Sequence, residues 1–199
     1  MDIQTADRKF HHINYGDSSF SELSDELIRT ADQKQHHLSL FLGPYQPNKK
    51  RALDELADKL DRKVKVIDTG TLISKIESIT FANLDTLFEG LDQSNVILYF
   101  INGGRLCGTY TGYSLSRVKY ATPQERYFLK KVKHFNGLVV VDIEEFTDAD
   151  KTLRRAAQSI VSFVLPDSRL QRFLWHLKNY SMNGSQLKTK RPEAYGEMT

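Results

Sequence analysis

Short apolar runs alternate with helical patterns along the chain from residue 38 onward. The runs are rich in Val, Ile, Leu and Phe and show little polar alternation, which is typical of strands buried on both faces. Their alternation with helices is the pattern of repeated β-α-β units. It predicts a three-layer α/β/α sandwich with a mainly parallel, five-stranded sheet. The predicted strands are residues 38–42, 64–67, 96–101, 138–141 and 160–165.

The segments between these strands carry apolar residues at three- and four-residue spacing. This spacing places them on one face of a helix in residues 53–60 and again in residues 81–91. We interpret both faces as core packing rather than as a cofactor site. Capping patterns predict further helix starts. These lie at Ser19 with Glu22, at Thr147 with Asp150, and at Pro166 with Asp167.

The helix that follows Thr122 has the most complete set of boundary signals. Thr122 is a capping residue, Pro123 suits the first turn, and Glu125 completes a capping box. Gly137 is a typical stop signal. The pattern therefore predicts a helix over residues 127–135.

The length of 199 residues, 40% of them hydrophobic, is sufficient for one substantial core and too short for two ordinary domains. We predict an N-terminal extension with one helix over residues 1–36 and an α/β domain over residues 37–180. Residues 181–199 are polar and rich in Gly, Ser, Asn and Thr near their start, which predicts a flexible tail.

The composition limits the cellular compartment and the classes of partner that we expect. Cys107 is the single cysteine, no apolar run is long enough to cross a bilayer, and the first ten residues are polar, so we expect a cytoplasmic protein without a membrane anchor. The net charge of +3 comes from 28 basic and 25 acidic residues with interspersed signs, which does not require nucleic acid. Two pairs of adjacent histidines lack metal-ligand spacing, so no metal site is expected.

A degenerate phosphate-loop pattern follows the first predicted strand. A glycine-rich loop between a strand and a helix holds phosphate through its amides, with the pattern Gly, four residues, Gly, Lys, Ser or Thr. Gly43 and Lys49 fit this pattern, but Asn48 replaces the second glycine and Lys50 replaces the hydroxyl residue that binds magnesium. Pro47 also removes one amide donor.

Ordered motifs around this loop are similar to those of the large subdomain of AAA-type ATPases. They are Val66-Ile67-Asp68, Leu106-Cys107-Gly108, the run from Phe135 to Val141, the pair Arg154-Arg155 and Val164-Leu165-Pro166-Asp167. The chain resembles this P-loop family over about residues 36–178. We expect no counterpart of the family's small helical lid after residue 177.

The resemblance implies where catalytic residues of the family have been replaced. The Walker B carboxylates correspond to Ile101 and Asn102, and Ile cannot bind a hard cation, whereas Asn cannot accept a proton from water. The sensor 1 asparagine corresponds to Glu144, or with a slip of one residue to Ile143 or Glu145. Phosphoryl transfer depends on metal and charge neutralisation, so we expect no catalytic residues and no ATP hydrolysis.

Two basic residues correspond to the arginine fingers of the family. Arg154 and Arg155 either act on the nucleotide of an adjacent subunit, as the resemblance implies, or form part of a solvated helix face.

A second candidate surface is the stretch from residue 105 to residue 120. It interleaves aromatic and basic side chains, which suits a protein contact, an ordinary loop or the stacking of a nucleic-acid strand. Its candidate residues are Arg105, Tyr110, Tyr113, Arg117 and Tyr120.

The sequence therefore indicates a non-hydrolysing AAA-type pseudo-ATPase, not an enzyme, that serves as a protein-interaction, structural or regulatory subunit. Its expected partner is a second copy or an active AAA-type ATPase. One alternative is a magnesium-independent switch in which Lys49 and Lys50 neutralise the phosphates of weakly bound ATP or ADP. A basic nucleic-acid adaptor is the other alternative.

Overall fold

A six-stranded sheet forms the centre of a computed structural model that describes residues 10–91, 95–107, 121–145, 147–163, 170, 172–174 and 177. The side chains of residues 11 and 12 are not described. The chain divides into two units, Met1–Val164 and Leu165–Thr199, and the sheet belongs to the first.

All described strand pairs in the sheet are parallel. The strands are β1 (His11–Asn14), β2 (His37–Leu42), β3 (Lys63–Asp68), β4 (Val96–Ile101), β5 (Leu138–Ile143) and β6 (Ser159–Ser162). Their order across the sheet is β1-β6-β2-β5-β4-β3. The central strand β2 therefore lies between β5 and β6, so that Leu40 pairs with both Val141 and Ile160.

Helices cover both faces of the sheet. They are α1 (Ser18–Asp32), α2 (Gln46–Leu60), α3 (Thr69–Leu72), α4 (Glu77–Glu89), α5 (Pro123–Lys133) and α6 (Lys151–Ala156). One face packs against α1 and α2, and the other packs against α4, α5 and α6. Connections that run from the β1 edge towards the β3 edge contain α1 and α2 and cross the first face. Connections in the opposite direction contain α4, α5 and α6 and cross the second face. This division is expected when all parallel crossovers have the same hand. The three-layer, mainly parallel α/β arrangement is confirmed.

Successive side chains of each central strand point to opposite faces of the sheet, so the core has two parts. In β2, Leu40 packs towards α5 and α6, whereas Phe41 packs towards α1 and α2. In β5, Val139 and Val140 divide in the same way. Because both faces are covered, every residue of β2 and β5 is buried. This double burial explains the continuous apolar runs in the sequence.

The sheet contains one strand more than the five predicted. Strand β1, His11–Asn14, lies at the edge and pairs with β6. The region predicted as an N-terminal extension thus contributes both an edge strand and α1, whose Phe20 and Leu23 are buried in the core. The sequence His-His-Ile-Asn lacks the apolar run used to predict strands, because β1 has only one neighbour in the described sheet.

The helix caps agree with prediction in one case and differ in two. Thr122 Oγ1 accepts a hydrogen bond from the Glu125 backbone N–H at 3.1 Å, which confirms Thr122 as the cap of α5. The cap of α6 is Asp150 rather than Thr147, because Asp150 Oδ1 accepts from the Leu153 N–H at 2.8 Å. Helix α1 is present as predicted, but Asp17 rather than Ser19 occupies its N-cap position.

The second unit, Leu165–Thr199, is described only at residues 170, 172–174 and 177, all of which are helical. The apolar stripe of the predicted last helix is exposed: Leu170, Phe173, Leu174 and Leu177. Pro166 and Asp167, the predicted start of this helix, and the predicted tail lie outside the described residues. Within the described part of the chain, no helix has the length and apolar character needed to span a membrane.

Candidate binding cleft at the carboxyl edge of the sheet

The topology places a crevice beside the carboxyl end of β2. The chain leaves β2 through α2 on one face of the sheet, and it leaves the neighbouring strand β5 through α6 on the other face. The two connections diverge, and ligands of open α/β sheets bind at such switch points. A cleft of about 530 Å³ opens there, lined by Gln46, residues 101–105, Asp142, Glu144 and Asp148.

The loop between β2 and α2 is tight. Only Gly43, Pro44 and Tyr45 separate the two elements. Gly43 has φ of 124°, and its N–H donates to the Ile143 carbonyl at 3.0 Å. A Cβ at this position would lie 2.4 Å from the Phe163 carbonyl oxygen. Gly43 is therefore required by backbone packing, independently of any phosphate.

Lys49, predicted to face phosphate, lies inside the protein. Its side chain is 0% exposed, forms an ion pair with Asp142 and donates to the Ile143 carbonyl at 3.2 Å. The other oxygen of Asp142 accepts from the Tyr99 hydroxyl at 2.8 Å. Burial lowers the pKa of Lys49, and the charges of Asp142 and Glu144 oppose this shift. Burial and Asp142 raise the pKa of Tyr99.

Asn48 and Lys50, which also belong to the predicted phosphate loop, lie near the start of α2 and differ in exposure. Asn48 is buried, whereas the Lys50 side chain is 77% exposed and pairs with Asp54 four residues later. The structure therefore does not bring the ammonium groups of Lys49 and Lys50 to one site. Neither lysine lines the cleft.

The end of β4 is held by hydrogen bonds to the end of β3. Asn102 adopts a left-handed conformation, with φ of 58°, and its Nδ2 donates to Asp68 Oδ1 at 2.8 Å. The same oxygen accepts from the Gly70 N–H, and the Thr69 hydroxyl donates to the carbonyls of Ile101 and Asn102. The hydrogen bond from Asn102 is the main cause of the lowered pKa of Asp68.

Two acidic residues follow β5 and line the cleft. Glu144, the predicted sensor 1 position, is exposed directly after the strand. Asp148 is half-buried, and its carboxylate lies close to Gly104, where a Cβ would be 3.1 Å from Oδ2. Sequence reasoning missed Asp148, since only the return of the loop between β5 and α6 places it near the end of β4.

The candidate arginine fingers lie in the last turn of α6. Arg154 is half-buried and Arg155 is exposed. Neither residue lines the cleft. Arg155 is thus available for contact with another molecule, and its predicted action on an adjacent subunit stays a prediction.

The candidate interaction loop is described only at its beginning. Arg105 ends a 3₁₀ turn, Gly103–Arg105, and its exposed side chain lines the cleft. The remaining candidates lie outside the described residues: Tyr110, Tyr113, Arg117 and Tyr120.

A buried polar cluster occupies the opposite, amino edge of the sheet. His37 Nε2 lies 2.9 Å from the Ser159 hydroxyl, which donates to the Ser39 hydroxyl at 2.9 Å. Burial, with a smaller contribution from His36, lowers the pKa of His37 to about 4. In the described part of the chain, no group of three or more His, Cys, Asp or Glu side chains is arranged to hold a metal ion.

Comparison with known proteins identifies the fold but no family. The sequence matches no protein-family model and no curated protein. Among solved structures, it is similar to a chain in the E. coli MS115-1 HORMA:CdnC:Trip13 complex, with a TM-score of 0.59 and 12% identity. The match covers 87% of this chain and 69% of that chain. At this identity the likeness is one of α/β fold alone, and the function must be argued from the site.

Proposed function

We propose that this chain is a non-hydrolysing AAA-type module that acts as a protein-interaction, structural or regulatory subunit rather than as an enzyme. The observation that carries the proposal is the burial of Lys49 in its ion pair with Asp142. In a working phosphate loop this ammonium group meets the nucleotide. Here a carboxylate of the same chain already neutralises it.

The energy needed to release Lys49 weighs against tight nucleotide binding. Breaking a buried ion pair by removing one partner costs about 3–5 kcal/mol, because the other charge stays buried and uncompensated. The same cost applied to binding weakens affinity roughly 150- to 4,000-fold. ATP or ADP would also have to approach the carboxylates of Glu144 and Asp148 at the cleft.

The end of β4 offers no replacement for the lost catalytic groups. Ile101 provides no side-chain oxygen for a cation, and the Asn102 amide is hydrogen-bonded to Asp68. Glu144, at the other wall of the cleft, would repel a γ-phosphate. These features support the absence of hydrolysis.

The fold comparison is compatible with a role in an assembly, because the similar chain was solved within a complex of several proteins. We extend to this chain only the general idea of a protein partner. The partner is a second copy or an active AAA-type ATPase, and the setting is the cytoplasm.

Calorimetry with ATP and ADP, each with and without Mg²⁺, tests the nucleotide part of the proposal. We expect no binding heat at millimolar nucleotide and no phosphate release. Binding with micromolar affinity, or steady magnesium-dependent phosphate release, would overturn the proposal. Metal-independent binding that Lys50→Ala weakens would instead support the switch that uses Lys49 and Lys50.

Light scattering and affinity capture with an active AAA-type ATPase test the interaction part. We expect self-association or a stable complex. A strictly monomeric chain that leaves the ATPase uncaptured and its rate unchanged would contradict this role. The double variant Arg154→Ala, Arg155→Ala then distinguishes docking from action on the partner's nucleotide. If the arginines act on that nucleotide, the variant still binds the ATPase but no longer changes its rate.

A further inference from the structure

Strand β3 pairs with β4 on one side and with no described strand on the other. The Lys63 N–H donates to the Asn95 carbonyl at 3.2 Å, which directs the backbone groups of Lys63 and Lys65 towards β4. The N–H and C=O groups of Val64 and Val66 therefore point away from the sheet. In the described part of the chain, no hydrogen bond to these outward groups is present.

The side chains of β3 are far more open than those of the central strands. Every residue of β2 and β5 is buried, whereas Lys63, Lys65 and Val66 are exposed. The Val66 side chain is 59% exposed, although β-branched residues pack well between neighbouring strands. Val66 thus leaves room for a cross-strand neighbour on the outer side of β3.

Lys63 and Lys65 provide two positive charges on one face of β3. Successive side chains of a strand alternate between its faces, so these two lie on the same face, about 7 Å apart along the strand. Neither lysine forms an ion pair with a described residue. Asp68 lies on the opposite face and accepts from the Asn102 amide. The edge therefore presents unpaired charges at the spacing of alternate residues in an extended chain.

We propose that the outer edge of β3 takes up an extended acidic segment of a partner protein as an additional strand. This inference rests on the proposed function, because it supplies a contact through which an interaction subunit holds its partner. Carboxylates at alternate positions of the segment pair with Lys63 and Lys65, and an apolar side chain between them packs beside Val66. Main-chain hydrogen bonds to Val64 and Val66 supply affinity, and the lysines select the segment by its charge.

Two other occupants fit this edge less well. A second copy that offered its own β3 would place lysines opposite lysines, and like charges directly opposite each other in a strand pair are destabilising. A nucleic-acid strand would meet two cations, but β3 has no aromatic side chain on which its bases could stack. An acidic extended peptide uses the charges and the outward backbone groups together.

The first test measures binding of a labelled peptide, Ser-Glu-Val-Glu-Val-Glu-Ser, to the full chain by fluorescence anisotropy. We expect binding that weakens as the salt concentration rises. The control peptide has Lys in place of Glu and should bind at least about tenfold more weakly, because it brings like charges to the lysines of β3.

Backbone methylation separates strand addition from attraction between charges alone. N-methyl groups on the valines block one edge of the peptide, and N-methyl groups on two glutamates block the other edge at the same net charge. We expect one methylated peptide to bind like the parent and the other to lose about tenfold in affinity, because only one edge faces β3. Loss with methylated valine indicates an antiparallel segment, and loss with methylated glutamate indicates a parallel one. Equal binding of the two overturns strand addition.

Variants assign the binding to β3. Val66→Pro removes an outward N–H and should weaken binding about tenfold while β4 stays paired, because edge strands tolerate proline. Val66→Thr keeps the N–H and is its control. Lys65→Gln should weaken binding about fivefold, the upper range for an exposed ion pair. Lys34→Gln changes an exposed lysine ahead of β2 and should have no effect.

Circular dichroism and urea unfolding check that each variant is folded, and Lys65→Gln keeps the proposal testable if Val66→Pro unfolds. Absence of peptide binding, or equal binding by Lys65→Gln, Lys34→Gln and wild type, overturns the β3 site. Self-association that Val66→Pro abolishes assigns the edge to a second copy. Binding of single-stranded DNA in place of the peptide assigns it to nucleic acid. Both of these results also overturn the proposal.

The fate of the β3 site is distinguishable from that of the proposed function. Loss of the site leaves an interaction subunit to be judged by light scattering and by capture of an active AAA-type ATPase. Peptide binding by a chain that neither self-associates nor captures such an ATPase supports the β3 site and overturns the partners named in the proposed function. Peptide binding together with capture that Lys65→Gln weakens supports both.

Discussion

The buried ion pair between Lys49 and Asp142 predicts a large and selective loss of stability when one partner is removed. Lys49→Met leaves the Asp142 carboxylate buried, and the Tyr99 hydroxyl is then its one side-chain partner among the described hydrogen bonds. Removing one member of a buried pair costs about 3–5 kcal/mol. Domains of this kind have a free energy of unfolding of about 5–15 kcal/mol, so the variant should lose a large part of it.

Urea unfolding followed by far-ultraviolet circular dichroism at pH 7 measures this loss. With a denaturant slope of about 2 kcal/mol/M, a loss of about 4 kcal/mol lowers the midpoint by about 2 M. Lys50→Met is the matched control. The exposed pair of Lys50 with Asp54 contributes at most about 1 kcal/mol, so the midpoint should move by about 0.5 M or less.

A second substitution distinguishes an uncompensated charge from a loss of packing. In Lys49→Met with Asp142→Leu the stranded carboxylate is gone, and we expect most of the lost stability to return. The Tyr99 hydroxyl then lacks its acceptor at a cost of about 1–3 kcal/mol, which Tyr99→Phe should recover. If Lys49→Met unfolds at the same urea concentration as Lys50→Met, the ammonium of Lys49 is solvated and the argument against nucleotide binding fails.

Three further predictions concern the two edges of the sheet and a helix cap. The pKa of His37 is depressed to about 4, so the folded state binds fewer protons than the unfolded state between about pH 6.5 and 4, and stability falls with acidity in that window. From pH 7.5 to pH 5, the free energy of unfolding measured with urea should fall by about 2 kcal/mol. If this free energy depends on pH in the same way in His37→Gln, the assignment to His37 is contradicted. Gly43→Ala should lower the free energy of unfolding by about 2–4 kcal/mol, because its Cβ would meet the Phe163 carbonyl. The control Gly90→Ala should be neutral or slightly stabilising, since the nearest atom to its Cβ would be 3.4 Å away. Equal melting temperatures of the two variants would contradict the tight packing at Gly43. Asp150→Ala should cost about 1 kcal/mol by removing the cap of α6, and an equal loss in Thr147→Ala would show that the cap is assigned to the wrong residue.

The central sheet was predictable because its strands are covered on both sides. Residues of β2 and β5 meet helices above and below, so most positions are apolar and the run is visible in the sequence. Strand β1 was missed because an edge strand has fewer apolar positions to fill. Asp150 was noted as the partner of Thr147 in a capping box, but which of two polar residues three positions apart caps a helix depends on where the loop turns.

The sequence predicted where the cleft lies, but not which charged side chains line it. Gly43 marked the loop correctly as the end of the first predicted strand, because a positive φ at that point needs glycine. The burial of Lys49 was not visible, since lysine is seldom buried without a partner and Asp142 lies 93 positions away. Asp148 joins the site only through the path of the loop after β5. Contacts between residues that are far apart in the chain are thus the part of the site that a single sequence does not display.

Strand β3 bounds the described sheet on the side opposite β1, and its backbone groups on the outer side are not paired with another described strand. Such an edge invites pairing with the sheet of a second molecule, which leads to aggregation. Lys63 and Lys65 are both exposed along this edge, next to the exposed Val66. Two like charges on each copy oppose edge-to-edge association. Neutralising both lysines should therefore lower the concentration at which the protein remains in solution without altering the interior of the fold.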